Sequence, residues 1–452
     1  MALVSGATLA LLLLSGLAGA QTPRPQLVRI STDTTTTAGA QHATEVEPDA
    51  LAVGSRIVAV FQVGRFFGGG AGAIGFSTSA DAGRTWRNGL LPPFPAATSP
   101  SDPVVAHDAL HGRWLAASLI PNANGQSAVA INGSADGLTW EAPVTAVSYR
   151  VGTGDEGTSL DKEWLTCDNG PASPFRGRCY LAYTDFAHDT SPQRPGSHVA
   201  IQSSADGGTT WSVPLLLDVV ANTLSPGVQL VVRPSGELVV VFFEDGVAEA
   251  VRSSDGGATF SERERISTLT FHRHPITPNR PRTFSLATAA VDAAGAVYVA
   301  WPDCRFRAGC AADDIVWTRS GSPGSWSPVR RIPLTPRRSR LELVLPDLAV
   351  SGRRVALTYY ALNFADCTEQ TCLLDAYLVT SKTLGARWAK PRRLNPRRMR
   401  LTWLAQTVSG RMVGDYMATV FAGTRAVSVH VQARAPQGDR FNEAVYAYGA
   451  TP

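Results

Sequence analysis

Six imperfect copies of one short signature, Ser-x-Asp-x-Gly-x-Thr-Trp, recur along this 452-residue chain. The complete copies are Ser79–Trp86 and Ser204–Trp211. The shorter or altered copies are Ser134–Trp140, Ser254–Phe260, Ser320–Trp326 and Ser381–Trp388. Asp and Ser side chains hold tight turns by bonding nearby backbone groups, and Gly accepts the left-handed backbone that such turns need. A strand-turn-strand unit repeated roughly every 50 to 70 residues predicts a β-propeller or a related array.

The signature resembles the Asp-box, or bacterial neuraminidase repeat, of the sialidase superfamily. The resemblance covers nearly the whole chain as architecture and implies an all-β propeller of four-stranded blades over residues 43–452. It also implies a protein that acts on glycans. The repeated Asp residues are scattered around the ring and cannot converge on one substrate. We therefore expect them to specify the fold rather than a reaction.

A second pattern counts the blades. It consists of a β-rich strand, a tight turn with Gly and a second β-rich strand, and it occurs seven times: Pro48–Phe61, Asp102–Ser118, Asp161–Thr184, Gly227–Phe243, Phe284–Trp301, Pro346–Tyr360 and Asp415–Val431. The last unit has only three evident strands, and Gln26–Ser31, within the N-terminal segment 21–42, is an alternating stretch that can supply the fourth. This pairing would close the ring and remove an exposed edge. We predict seven blades, with six, the usual number in sialidases, as the alternative.

The N-terminus indicates export. Residues 1–20 contain the apolar run Leu9–Leu14 and end in Ala18-Gly19-Ala20, which predicts a secretory signal peptide. No later stretch approaches the ~20 apolar residues of a membrane-spanning helix. We expect a secreted, extracellular or periplasmic protein that is monomeric.

The cysteines agree with that compartment. They fall as three close pairs, namely Cys167 with Cys179, Cys304 with Cys310, and Cys367 with Cys372. Although six Cys allow 15 pairings, nearest-neighbour disulfides are the simplest outcome in an oxidising compartment. A zinc site would need Cys-x-x-Cys or His partners at ligand spacing, and the cysteines show neither.

Positive charge is concentrated between Arg330 and Arg400, where fifteen Lys and Arg accompany five Asp and Glu. The chain contains only three Lys, so Arg is its ordinary surface cation. No recognition helix or base-stacking motif accompanies the basic run. We therefore expect no nucleic-acid partner.

Propeller geometry indicates where a site would lie. Loops that enter the inner strands converge at the mouth of the central channel, on the face opposite the Asp-box turns, and ligand sites generally use such a mouth. The starts of the inner strands are rich in acids. The candidate catalytic residues from this set are Asp161, Asp415, Tyr416 and Glu47. The candidate substrate-binding residues are Lys162, Arg282 and Arg305.

Sialidase catalysis does not carry over to these positions. Sialidases grip the substrate carboxylate with three Arg and use a Tyr nucleophile beside a Glu, with an Asp as acid/base. Here Val46-Glu47-Pro48-Asp49 stands where the first arginine motif of the family would open the first inner strand, and acids there repel an anionic substrate. Tyr416 is placed for a nucleophile with Asp415 beside it, although successive strand residues face opposite ways.

The same periodicity argues against a metal site at His272 and His274, because two His on one extended segment point to opposite faces. We expect no cofactor, with Ca²⁺ bound by several carboxylates as the alternative. The favoured function is that of a glycosidase-like hydrolase with paired carboxylates at the channel mouth. The alternatives are a non-catalytic propeller that binds a glycan or a protein, and a structural module without a small ligand.

Overall fold

The computed structural model describes residues 27–95, 97–121, 126–150, 160–186, 197–221, 227–244, 246–322 and 325–452. The predicted signal peptide, residues 1–20, lies outside them. The described chain is a β-propeller built from antiparallel sheets, most of whose strands follow one another in sequence. Two short 3₁₀ helices, Ala308–Cys310 and Leu401–Trp403, interrupt the strands. Within these residues no helix has the length and apolar character needed to cross a membrane.

The first half of the chain forms four groups of four strands. The first is β2 (Gln41–Val53), β3 (Arg56–Arg65), β4 (Ala71–Ser79) and β5 (Arg87–Leu90). The second is β6 (Ser101–Asp108), β7 (Arg113–Pro121), β8 (Gln126–Ser134) and β9 (Val144–Arg150). The third is β10 (Leu160–Cys167), β11 (Cys179–Asp185), β12 (Ser197–Ser204) and β13 (Leu215–Ala221). The fourth is β14 (Gln229–Val232), β15 (Leu238–Glu244), β16 (Val247–Ser253) and β17 (Glu264–Thr268).

The second half continues the pattern with divided outer strands. One group is β18 (Thr288–Val291), β19 (Val297–Asp303), β20 (Asp314–Ser322), β21 (Ser325–Trp326) and β22 (Arg330–Arg331). The next is β23 (Glu342–Ser351), β24 (Arg354–Leu362), β25 (Leu373–Ser381), β26 (Arg392–Arg393) and β27 (Met399–Arg400). A small hairpin, β28 (Ala405–Thr407) and β29 (Gly410–Met412), precedes β30 (Ala418–Ala422), β31 (Arg425–Ala433) and β32 (Glu443–Ala450).

The two ends of the chain meet in one sheet. Strand β1 (Leu27–Arg29) pairs antiparallel with β32, so the N-terminal strand completes the last group. A single parallel pair, Thr44 with Glu443, joins this group to β2 and makes an eight-stranded sheet. The blade number depends on counting that sheet as two blades, so seven blades stays a prediction.

The innermost strands form a ring. Contacts run from β2 to β6, β10, β14, β18, β23 and β30 in turn, and β30 contacts β2 again. The hydrophobic core lies between neighbouring sheets, as where Val58 and Val60 of β3 pack with Trp114 and Ala116 of β7. Since both faces of a sheet are covered, second strands such as β15 read as continuous apolar runs rather than as alternating ones.

The signature turns connect third and fourth strands. In the first copy, Asp81 Oδ1 accepts hydrogen bonds from the backbone N–H groups of Arg84 and Thr85, both at 2.9 Å, and from Ser79 Oγ at 2.8 Å. Asp206 repeats this pattern. In the fourth copy Ser253, not Ser254, bonds Asp255 at 2.7 Å, so that copy begins one residue earlier than the sequence analysis placed it.

The disulfide predictions are confirmed. Cys167 bonds to Cys179, Cys304 to Cys310 and Cys367 to Cys372. Each bridge closes a loop of 12 residues or fewer in sequence separation. The second and third bridges lie in the β19–β20 and β24–β25 connections, where they restrain two loops beside the inner strands.

We predict that Asp81→Ala lowers the free energy of unfolding by about 1–2 kcal/mol at pH 7, since four hydrogen-bond donors lose their acceptor. Burial acts to raise the pKa of Asp81, but hydrogen bonds from Thr85, Ser79 and Arg84 lower it to about 2. The contribution of Asp81 to the free energy of unfolding is therefore complete above its pKa in the unfolded chain, and it disappears as the pH falls through about 2. Urea unfolding at several pH values measures this. Asp439→Ala, in an exposed loop, is the control, and equal effects of the two variants would contradict the prediction.

We predict that Ser31→Ala costs about 2 kcal/mol of folding free energy, because the buried N–H of Val445 loses its acceptor and the buried Glu45 loses its shortest hydrogen bond. The buried Ser31 hydroxyl donates to Glu45 Oε2 at 2.6 Å and accepts from the N–H of Val445 in β32 at 2.8 Å. Arg29→Ala is the matched control, since the Arg29 side chain also pairs with Glu45 but is 42% exposed. We expect it to cost under about 1 kcal/mol. Chemical denaturation decides, and a larger loss in the Arg29 variant would show the ranking wrong.

Candidate functional site at the centre of the ring

A backbone irregularity recurs at the start of four inner strands. The pairing register shifts between Val46 and Asp49, Ser101 and Val104, Asp161 and Trp164, and Val344 and Asp347. One residue in each interval has a left-handed backbone, with φ of 49–52°: Glu47, Asp102, Lys162 and Leu345. Bulges of this kind re-aim side chains, often beside functional sites. Here they direct side chains from different sheets towards one place.

Most of the predicted site residues are brought together there. Glu47 Oε1 accepts a hydrogen bond from the N–H of Asp415 at 3.3 Å, although 368 residues separate the two in sequence. The carboxylates of Asp102 and Asp415 act on both Glu47 and Asp161, so these four acids form one electrostatic group. We call Glu47, Asp102, Asp161 and Asp415 the central carboxyl cluster.

Arg282 supplies the cation of this cluster. Its guanidinium donates two hydrogen bonds to Asp415, from Nε to Oδ1 at 2.8 Å and from Nη2 to Oδ2, and a third to Ser409 Oγ at 2.6 Å. The ring of Phe284 lies 4.8 Å from the guanidinium carbon. Burial acts to lower the pKa of Arg282, but Asp415 and the other acids outweigh it and raise that pKa. The Arg282 guanidinium is therefore charged, and it forms a bidentate ion pair with Asp415.

Lys162 lies between two aromatic rings. Its ammonium group is 4.2 Å from the centre of the Trp164 ring and 4.1 Å from that of Tyr416, which is cation–π geometry. Tyr416 donates its hydroxyl hydrogen bond to the carbonyl of Pro103 at 3.1 Å. Burial raises the pKa of Tyr416 well above its ordinary value, and the acids Asp102 and Glu47 add to the shift. The phenol is thus held neutral.

Asp415 and Tyr416 both line one central cavity, together with Lys162, Trp164 and Asp347. The expectation that Asp415 and Tyr416 face opposite ways is wrong. Alternation holds only within extended strands, and both residues precede β30 in irregular backbone. Gly414, with φ of 134°, comes directly before them.

The pKa values of two of the acids are raised. Burial raises the pKa of Glu47 to about 8, with further increases from Asp102 and Asp415. The same causes, in the same order, raise the pKa of Asp161 to about 7. A carboxylic acid with a pKa near 7 can serve as a general acid. Asp415, paired with Arg282, is a second carboxyl group in the same cluster.

Two acids of the site were not among the predicted site residues. Asp102 occupies the same bulge position as Glu47, and each is followed by Pro, so the repeated acid-Pro pair was a usable signal. Glu163 is fully buried, and neither of its carboxyl oxygens bonds to another residue of the described chain. Burial raises the pKa of Glu163 well above its ordinary value, so the group is neutral.

Other acids at the inner strands join neighbouring sheets instead. Asp49 accepts a hydrogen bond from the N–H of Val105 in β6 at 2.8 Å. Asp347 accepts one from the Thr288 hydroxyl of β18 at 2.7 Å and one from the N–H of Thr419 in β30. These carboxyls replace backbone pairing between sheets, which explains their position without a catalytic role.

The hydrogen bonds of Arg305 go to residues outside the central carboxyl cluster. Its guanidinium donates to both oxygens of Asp303, at 2.8 and 2.6 Å, and to Ser267 Oγ at 3.1 Å. It also bonds the carbonyl of Thr268 at the end of β17. These contacts fasten the Cys304–Cys310 loop to β17, and the substrate-binding role that the sequence suggested for Arg305 stays a prediction.

His272 and His274 do not point to opposite faces. Their rings lie 5.2 Å apart, and a nitrogen of each approaches Oε1 of Glu342. The prediction failed because residues 270–276 are not part of a strand, so the two-residue alternation does not apply to them.

Comparisons with known proteins found similar solved structures. No family model and no curated protein matches the chain. An α-L-arabinanase of Penicillium chrysogenum superposes with a TM-score of 0.48 and 11% identity over 94% of this chain and 99% of that chain. An α-L-arabinofuranosidase of Fusarium graminearum superposes with a TM-score of 0.46 and 12% identity, over 94% of this chain and 97% of that chain. The NanB sialidase of Streptococcus pneumoniae superposes with a TM-score of 0.42 and 12% identity, over 94% of this chain and 70% of that chain. In structure the chain is similar to sialidases and arabinanases.

We predict that stability falls as the pH rises from about 5 to about 8. The unfolded carboxyl ionises near its ordinary pKa, whereas folded Glu47 keeps its proton until about pH 8. Each such group contributes a slope of at most about 1.4 kcal/mol per pH unit. Glu47→Gln should flatten the slope in urea unfolding series, whereas Glu141→Gln, whose side chain is 56% exposed, should leave it unchanged. An unaltered slope in the Glu47 variant would rule out a protonated Glu47.

Proposed function

We propose that this chain is a secreted, glycosidase-like propeller that cleaves a glycosidic bond at the central carboxyl cluster. The observation that supports it most is the presence of two carboxyl groups with different surroundings in the central carboxyl cluster. Asp161 has a raised pKa of about 7, and Asp415 forms a bidentate ion pair with Arg282. Glycoside hydrolysis requires one carboxylic acid and one carboxylate on either side of the scissile bond.

The cluster suggests a role for each residue. Asp161 is only partly buried, so it can reach a leaving-group oxygen and donate its proton as the general acid. Asp415 stabilises the positive charge that develops on the sugar ring. Glu47 is 1% exposed and bonds Gln62 and the N–H of Asp415. It therefore acts as a positioning residue for Asp415.

The aromatic residues of the cavity support a sugar ligand. Trp164 and Tyr416 meet edge to face with ring centres 5.9 Å apart, and Lys162 supplies a donor beside them. Aromatic faces provide apolar surface of the kind that ligand pockets use. Tyr416 is a poor nucleophile here, because its hydroxyl is bonded to Pro103 and burial raises its pKa. The proposal thus differs from a sialidase mechanism.

A non-catalytic binding propeller is the second candidate. Arg282 occupies both oxygens of Asp415, which lowers the ability of that carboxylate to attack a sugar or to activate water. The same cavity would then bind a glycan or an exposed protein segment without turnover. The three disulfides support an oxidising, extracellular or periplasmic location for either candidate.

We predict that Asp161→Asn and Asp415→Asn each lower kcat by about 10²–10⁴-fold on the glycoside that the wild type hydrolyses best in a chromogenic screen. The alkaline limb of the pH–rate profile should fall near pH 7, the pKa of Asp161, since the general acid must carry its proton. Asp206→Ala, in an Asp-box turn, is the control and should retain full kcat in folded protein.

The outcome separates the two candidates. Wild-type turnover that both cluster variants abolish supports the hydrolase. Binding on a glycan array without turnover, weakened by Asp161→Asn, supports the binding propeller. Turnover that survives both cluster substitutions and is lost in Asp206→Ala would place the active site on the other face and overturn the proposal.

A further inference from the structure

A second group of ligating side chains joins the β17–β18 connection to the start of β23, outside the central carboxyl cluster. His274 Nε2 is 3.2 Å and His272 Nδ1 3.6 Å from Oε1 of Glu342. One ligand atom from each of the three side chains lies within 4.8 Å of the others. The Glu342 side chain is fully buried, and the His272 and His274 side chains are 17% and 7% exposed. We call these three residues the His-Glu group.

The charge on Glu342 is compensated differently from that on nearby buried acids. Asp314, also fully buried, is gripped by Arg307 and Arg331 through paired hydrogen bonds. Within the described part of the chain, the ion-pair partners of Glu342 are imidazoles alone. A buried carboxylate requires a positive partner, and a cation bound among these three side chains would be one.

An unpaired nitrogen points to the same conclusion. His272 Nδ1 is buried and has no hydrogen-bond partner within the described chain. A buried polar atom without a partner needs an explanation, and a bound ion is one of the few available. Because this nitrogen faces Glu342 Oε1, an ion between them would satisfy both groups.

The spacing suits a tetrahedral metal. Zinc bonds of about 2.0–2.2 Å to nitrogen and oxygen put neighbouring tetrahedral ligand atoms roughly 3.3–3.6 Å apart. The two separations from Glu342, 3.2 and 3.6 Å, agree with such edges, and the third, between the two imidazole nitrogens, is at most 4.8 Å.

Outer contacts resemble those of known metal sites. His272 Nε2 lies 3.5 Å from Oδ1 of Asp366, and metal-bound imidazoles usually direct their other nitrogen to a carboxylate. Glu342 Oε2 accepts from the N–H of Asp313 at 2.7 Å, and Asp313 Oδ1 accepts from the N–H of His272 at 2.9 Å. These bonds fix the His segment and the carboxylate relative to each other.

We propose that His272, His274 and Glu342 bind one Zn²⁺ ion and leave a fourth position for water or a ligand. Two imidazoles and one carboxylate favour zinc over Ca²⁺, which takes six to eight oxygen ligands. The ion links the β17–β18 connection to the start of β23. The site goes beyond the proposed glycosidase function and does not depend on it.

The test is zinc binding by untagged, disulfide-intact protein that has been stripped with a chelator. Titration against a chromophoric competing chelator should give one Zn²⁺ per chain and no competition from equimolar Ca²⁺. His274→Ala and Glu342→Gln should each weaken zinc binding at least 100-fold. Asp366→Asn should weaken it about tenfold through His272; its side chain is 88% exposed, so this substitution spares the fold. His111→Ala removes a histidine that pairs with Asp108 instead and should leave binding unchanged.

Two results would overturn the site. One is wild-type protein that binds no zinc under these conditions. The other is one-to-one binding that persists unchanged in folded His274→Ala and Asp366→Asn proteins. Circular dichroism in the absence of zinc verifies that each variant is folded. Neither result bears on the central carboxyl cluster, whose test is hydrolysis.

Discussion

The left-handed bulge at the start of the inner strands is the constraint on which the centre of this molecule depends. A residue other than Gly in that conformation costs roughly 1 kcal/mol or more, and four inner strands contain one. In β2 the bulge directs two nearby acidic side chains to different partners. Glu47 turns into the cluster, whereas Asp49, two residues later, bonds the next sheet at Val105. The contacts of Glu47 and Asp49 therefore hold the strained backbone in place.

Convergence of these bulges puts several acids in one buried place, which opposes folding. The protein reduces the repulsion in two ways: Glu47 and Asp161 keep protons near neutral pH, and Arg282 pairs with Asp415. Other parts of the structure offset this cost to folding, namely the apolar layers between sheets, the signature turns and three disulfides. Such a division between a stable scaffold and a strained centre is typical of functional sites.

Sequence reasoning succeeded where the determining contacts are local. The Asp81 turn bonds residues at most four positions away, and the Cys pairs lie close in sequence, so both were predictable. The cluster was recognised from strand starts, but Asp102 was missed because its role depends on partners in other sheets. Arg305 pairs with Asp303, two positions before it, and its substrate-binding role stays a prediction. The His pair was rejected by a strand rule applied to a segment that is not a strand.

Arg282 differs from the rest of the central cluster in how it is held. The acids belong to the inner strands or precede them directly, whereas Arg282 lies in the β17–β18 connection. That connection is fastened at its start, where Thr270 bonds Asp303 at 3.2 Å, and near its end, where the N–H of Arg282 bonds the carbonyl of Arg411 at 2.8 Å. The His-Glu group lies between these two anchors. The His segment that contacts Glu342 and the guanidinium that pairs with Asp415 are therefore carried by one connection between strands.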